Sequence, residues 1–150
     1  LLSLAGVSGL VGAPVGGWLS DRKGARFTAL AAGYVSSLGL LLVPVALALP
    51  TEQPLYNGLA FGALILVWSV AVSAQGPAFT AIAQELAPKG AEATALALPR
   101  AVGDAVYIVA PFILGLVTDT VPIRGAECGL AGGISLLGVS LLAWLGECGD

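Results

Sequence analysis

Two groups of charged residues interrupt an otherwise apolar sequence, and both have the side chains to carry chemistry. The first group falls within six positions and consists of Asp21, Arg22, Lys23 and Arg26. The second is the pair Arg100 and Asp104, which are four residues apart and so share one face of a helix. Charges in apolar surroundings need water, an ion partner or a polar ligand. Each group is therefore a candidate site.

The rest of the sequence indicates a membrane protein. Charged residues make up 10% of the chain and hydrophobic residues 57%, whereas soluble proteins average roughly 25% charged residues. The mean hydropathy is +0.96. Six basic and nine acidic residues are too few and too scattered for a nucleic-acid surface. The sequence has no Met and no basic leader, so we expect it to be part of a longer chain.

Five apolar runs divide the chain, at about 1–19, 28–49, 58–82, 95–118 and 129–146. About 20 helical residues cross the roughly 30 Å hydrocarbon core of a bilayer. The sequence therefore predicts an all-α, multi-pass bundle of five spanning helices in one partial transmembrane domain, residues 1–150. Gly76-Pro77 is expected to break helix three. With no His and two Cys, we expect no metal site, no cofactor and no enzymatic activity.

The basic residues predict how the helices are oriented in the membrane. The charged hinge between the first two runs must lie in water, and its three bases favour the cytoplasmic side. Alternating from there places five of the six bases inside or at the inner boundary, and only Arg124 outside. Gly24 suits the left-handed conformation that ends a helix. Gly12 and Gly16 have the spacing at which small residues let membrane helices approach closely.

The hinge resembles a loop signature of the major facilitator superfamily, G-x-x-x-D-R-x-G-R-R/K. The matching residues are Gly17, Asp21, Arg22, Gly24 and Arg26, while Ala25 stands at the first basic position of the pair. The resemblance implies half of a twelve-helix transporter, with the first helix of that half missing. Ala25 favours the C-terminal half, as does Ala110 at the first Gly of an antiporter signature. The hinge would then lock one state against the missing half; alternatively, it is a charged turn that only fixes topology.

Polarity differs between the helices. Helices two and five are apolar all round, so we expect them to face lipid, as the third and sixth helices of each half do in that superfamily. Helices one, three and four carry the glycines, amides and buried charges, so we expect them to face protein or a cavity. Gln75 in helix three and Tyr107 in helix four either line a substrate path or join helices by hydrogen bonds.

Arg100 and Asp104 allow two interpretations. We expect a structural ion pair at the inner boundary, with Asp104 one turn inside the membrane. The alternative is a gate residue or a proton carrier, because ionisable side chains within the membrane are costly and commonly functional.

Together these patterns predict an integral membrane protein that transports a small solute, with or without a coupled proton, by alternating access. Its partners would be the lipid bilayer and the missing half of the chain, and no nucleic acid. One alternative is a membrane sensor or assembly protein of the same fold. A second is a membrane-embedded lipid-modifying enzyme, which would need more clustered acids or histidines than Asp21 supplies.

Overall fold

A computed structural model describes residues 2–48 and 54–147, and within these ranges the chain is all-α. Five helices follow one another: α1 (Leu2–Lys23), α2 (Ala25–Ala48), α3 (Pro54–Leu86), α4 (Glu92–Thr120) and α5 (Ala126–Glu147). The prediction of an all-helical bundle is confirmed.

Most of the helices extend beyond the apolar runs that predicted them. α3 begins at Pro54 and ends at Leu86, although the apolar run covers only 58–82. The expected break at Gly76-Pro77 was wrong, because α3 continues through Pro77. Proline is tolerated inside membrane helices where neighbouring groups satisfy the backbone carbonyl that it leaves free. Likewise, charged ends stay helical outside the hydrocarbon, where water satisfies their side chains.

Four of the helices are long and apolar enough to cross a membrane: α2, α3, α4 and α5. The prediction of five spanning helices is therefore met by four within the described part of the chain. α1 is not among these four; it carries several glycines and ends in the charged residues Asp21 to Lys23. A bundle with four such helices has the architecture of a multi-pass membrane protein.

The distribution of side chains is the reverse of that in a soluble protein. The buried polar residues Ser8, Thr28, Ser36 and Ser37 lie between helices. Large apolar side chains point outward instead; Leu10 and Leu137 are 75% and 74% exposed. Such a surface suits a hydrocarbon solvent, in which burying large apolar groups gives no advantage and helices associate through small residues.

α2 lies at the centre of the bundle and contacts α1, α3 and α5. Its buried residues are Thr28, Ala29, Gly33, Ser36, Ser37, Gly39 and Val43. The expectation that α2 faces lipid all round is therefore wrong, and only the side that carries Val35, Leu38 and Val45 is exposed. Hydropathy does not distinguish exposure to lipid from burial against other helices, and the neighbouring helices contact the small residues along one stripe of α2.

α1 and α3 pack through glycine, as the sequence predicts. A methyl group on Gly12 would overlap the Val70 carbonyl oxygen and lie 2.7 Å from Ser73 Cβ. A methyl group on Gly16 would overlap the Ala74 backbone, 2.6 Å from its Cα. The close approach at the Gly12/Gly16 face is confirmed.

α5 packs on α2 through a second line of glycines. Gly125, one residue before α5, and Gly129 and Gly132 within it all face α2, and a Cβ at Gly129 would lie 3.1 Å from Pro44 Cγ. A Cβ at Gly132 would lie 2.9 Å from the Ser37 carbonyl oxygen. The spacing of Gly125 and Gly129 is again four residues, so the sequence contained this signal.

The contacts fix which helix ends lie together. Gly12 of α1 contacts Val70 of α3, and Gly16 contacts Ala74. Because the residue numbers increase together along both helices, α1 and α3 run parallel. α5 ends near the start of α2, and its first residues lie beside Val43, near the end of α2. Residues 20–27 and 84–94 therefore share one end of the bundle, and 119–127 lie at the other, as predicted. Of the segment 50–57, residues 50–53 lie outside the described residues.

Candidate functional site

The hinge between α1 and α2 consists of one non-helical residue. Gly24 has a φ of +93°, in the left-handed region that glycine adopts without strain. Its N–H donates to the Ser20 carbonyl at 2.9 Å, and its carbonyl accepts the Thr28 hydroxyl at 3.0 Å. The prediction for Gly24 is confirmed, and this single residue separates α1 from α2.

The other signature residues make few contacts. Asp21 and Arg22 are exposed, and the Arg22 guanidinium lies over the Trp18 ring, 4.6 Å from its centroid. Among the described residues Asp21 forms no ion pair. Gly17 has open space where a side chain would begin, so close packing falls to Gly16 instead. The lock against another half of the protein remains a prediction.

Arg26 is different, because it contacts the far end of the chain. Its Nη2 donates a hydrogen bond to the Ala143 carbonyl at 3.4 Å, near the end of α5. The guanidinium lies so close to Gly146 that a side chain there would overlap it. A cation at a helix C-terminus complements the negative end of the helix dipole. Arg26 thus links two helix ends within the bundle.

Gln75 belongs to a polar layer that joins three helices. Its Nε2 donates to Ser36 Oγ at 3.2 Å, and Ser36 donates to the Gly33 carbonyl at 2.9 Å. Ser37 Oγ lies 2.8 Å from both the Gly33 carbonyl and Ser135 Oγ of α5. A hydroxyl has one proton, so Ser37 donates to only one of these oxygens at a time. When Ser37 donates to the Gly33 carbonyl, it accepts a hydrogen bond from the Ser135 hydroxyl. Of the two interpretations of Gln75, this geometry favours the interhelical hydrogen bond.

The second charged group lies on α4, and there the structure differs from the expectation. Arg100, Asp104 and Tyr107 are all exposed, and Tyr107 is 77% exposed. Arg100 is eight residues inside α4, about 12 Å from its first residue. Tyr107 lies about 22 Å along a helix about 43 Å long. The three polar side chains therefore extend towards the middle of the span.

Arg100 and Asp104 do not form the expected ion pair. Neither has an ion pair or a side-chain hydrogen bond within the described residues. A base four residues before an acid is the weaker orientation for such a pair on a helix, and this order leaves both groups available. Whether the pair is a gate or a proton site stays a prediction.

These side chains occupy the outer face of α4. The opposite face meets α5 across a cleft of about 660 Å³ lined by residues that include Val102, Val106 and Val109. Val109 is nine residues beyond Arg100, about two and a half helical turns, which places it on the other side of the helix. α4 has no buried residue, so the expectation that it faces protein is not met within the described chain. We call Arg100, Asp104 and Tyr107 the α4 polar stripe.

No metal centre accompanies the stripe. The described residues contain no group of three or more His, Cys, Asp or Glu side chains placed to hold a metal ion. The residues that sequence reasoning missed are Ser36, Ser37 and Ser135 of the polar layer and the α5 glycines. Their signal was present as small and hydroxyl residues at helical spacing in α2 and α5.

No family model, no curated protein and no solved structure matches this chain.

Proposed function

We propose that this chain is part of a membrane transporter that carries a small polar solute across the bilayer by alternating access. The observation that carries the proposal is the α4 polar stripe, an arginine, an aspartate and a tyrosine on the open face of a helix apolar enough to span a membrane. A charge facing lipid costs about 2.5–3.5 kcal/mol at the bilayer centre on insertion scales, and less near the edge. The stripe therefore needs protein or a water-filled path beside it.

The arrangement of the bundle favours a solute path beside the α4 polar stripe, rather than a role of the stripe in helix packing. The contacts among α1, α2, α3 and α5 use small residues and a satisfied polar layer, so that part of the bundle is rigidly joined. Arg100 and Asp104, the two charged residues well inside an apolar helix, are instead on α4, which has the fewest contacts with the other helices. Transporters place their solute sites near the bilayer midplane, between two bundles that rock about them.

The hinge resemblance to the major facilitator superfamily adds to the proposal. In that scheme the hinge at Gly24 lies on the cytoplasmic side and the second bundle covers the open face of α4. The Asp104 carboxylate is then the group that carries a coupled proton. The protein would be an integral, multi-pass component of its membrane.

Solute uptake by the full-length protein in proteoliposomes tests the proposal. We expect uptake of a small polar solute driven by a proton gradient. Asp104→Asn should fold normally and lose proton-driven uptake, while exchange of the solute across the membrane persists at saturating solute concentration. Thr118→Val is a matched control, because Thr118 bonds only the Leu114 carbonyl of its own helix. Absence of uptake and exchange for every polar solute tested would contradict transport and favour a sensor or assembly role.

A further inference from the structure

We propose that the α4 polar stripe recognises a small zwitterion, a solute with one carboxylate and one ammonium group such as an α-amino acid. This inference rests on the proposed transport function and names its substrate class. It follows from three features of the stripe: the identity of its charges, their separation and the length of the polar stretch.

The charges suit the two ends of a zwitterion. The Arg100 guanidinium presents paired donors that match a carboxylate, whereas the Asp104 carboxylate only accepts and so matches an ammonium group. Neither group is engaged in an ion pair by another described residue. The site has no net charge, so a simple anion would leave Asp104 unpaired and a simple cation would leave Arg100 unpaired. Either would leave an uncompensated charge away from water, which is strongly unfavourable.

The geometry limits the size of the solute. Arg100 and Asp104 are one helical turn apart, about 6 Å along the axis, and both side chains are long enough to converge on adjacent groups of one molecule. Tyr107 follows on the same face, and the whole stripe is about 10 Å long. It is bounded by exposed apolar residues, Ala97 before it and Pro111 after it. A short solute would use the charged groups and place the rest of its structure near the Tyr107 ring.

The order of the residues keeps the site open. With the base before the acid, direct pairing along the helix is the weaker arrangement. A zwitterion placed between them satisfies both charges at once, and its release restores two groups that water can reach when the path opens. Binding of this kind is reversible, as transport requires.

Counterflow in proteoliposomes that contain the full-length protein tests the inference. The panel holds the twenty common α-amino acids together with neutral polar solutes of similar size, such as glycerol. We expect uptake of at least one amino acid. Its deaminated and decarboxylated analogues should compete about thirtyfold more weakly or worse, since each leaves one charge of the site unpaired.

Three variants separate recognition from folding. Arg100→Gln should raise the KM for the amino acid at least tenfold, and Arg100→Lys should raise it less because a cation remains. Arg124→Gln, in the exposed loop after α4, is the matched control and should leave KM unchanged. Protection from thermal unfolding by the amino acid gives a second readout, and it should be lost in Arg100→Gln and kept in Arg124→Gln.

Failure of the substrate class and failure of the transport function give different results. Transport of a neutral or singly charged solute, with no zwitterion transported, would overturn the substrate class and leave transport standing. An equal KM in Arg100→Gln and the unchanged protein would also overturn it. Absence of transport for the whole panel, with a well-folded protein, would overturn both proposals.

Discussion

The side chain of Arg26 donates a hydrogen bond to the backbone carbonyl of Ala143, 117 positions further along the chain, at 3.4 Å. Arg26 is near the start of α2 and Ala143 near the end of α5, so the bond joins two helix ends at the same end of the bundle. Gly146 is packed against the same guanidinium. One signature residue therefore links α2 to the end of α5.

Replacing Arg26 tests this link. Arg26→Gln should lower the free energy of unfolding by about 0.3–1 kcal/mol, the usual effect of a cation at a helix C-terminus. The effect should shrink at high salt, because the site is exposed and screened. Unfolding in detergent micelles, followed by circular dichroism, measures both.

The matched control for this prediction is Arg22→Gln. Arg22 lies in the same hinge but its guanidinium stacks on Trp18 rather than on α5. Equal loss of stability in the two variants, with equal dependence on salt, would contradict a specific role for Arg26 at the end of α5.

The two adjacent glycines of α1 provide a second test. Gly16→Ala should destabilise the bundle by about 1–3 kcal/mol, because the added methyl group overlaps the Ala74 backbone and α1 must move away from α3. Gly17→Ala should leave stability unchanged or raise it by about 0.5–1 kcal/mol, since open space surrounds that position and alanine favours a helix. Chemical unfolding of both variants in micelles gives the comparison. Similar values for the two would mean that α1 and α3 do not meet at Gly16.

The glycines show what can be read from this sequence and what cannot. Helical spacing predicted the contact of Gly12 and Gly16 with a neighbouring helix, and the sequence of apolar runs predicted five helices. The turn at Gly24 was predictable because only glycine adopts its φ of +93° without strain. Each of these conclusions uses only residues that are close together in the sequence.

The order of helices in the bundle was not predictable in the same way. Uniform hydropathy along α2 suggested that it faces lipid, but it is the central helix and buries Ser36 and Ser37. In a bilayer, apolar side chains are as stable against lipid as against protein, so hydropathy does not report burial. The bounds of α4 were not predictable for a related reason: the apolar run 95–118 marks the hydrocarbon-like part of the helix, whereas the helix itself begins earlier, at Glu92.

The hydrogen bond between Ser37 and Ser135 should contribute measurable coupling between α2 and α5. Interhelical hydrogen bonds in membranes average about 0.6 kcal/mol in double-mutant cycles, and reach about 1.7 kcal/mol. A cycle of Ser37→Ala and Ser135→Ala should therefore give a coupling energy in this range. A parallel cycle of Ser37→Ala and Thr118→Val should give a value near zero, because Thr118 bonds within α4. Coupling no larger in the first cycle than in the second would show that the two hydroxyls act independently.

The last prediction concerns which helix ends share a side of the membrane. The structure places residues 20–27 with 84–94, and 119–127 at the opposite end, and the distribution of bases predicts that the first pair is cytoplasmic. Single cysteines are introduced at Arg22, Lys89 and Arg124, all exposed, in a protein whose Cys128 and Cys148 are replaced by Ser. A membrane-impermeant maleimide applied to intact cells should label position 124 alone. Permeabilised cells should show labelling at all three positions, which controls for reactivity.

Labelling of positions 22 and 89 but not of position 124 would reverse the predicted orientation while preserving the fold. Labelling of 22 without 89 would contradict the parallel arrangement of α1 and α3, since Gly12 and Gly16 fix these two helices side by side with their C-terminal ends together.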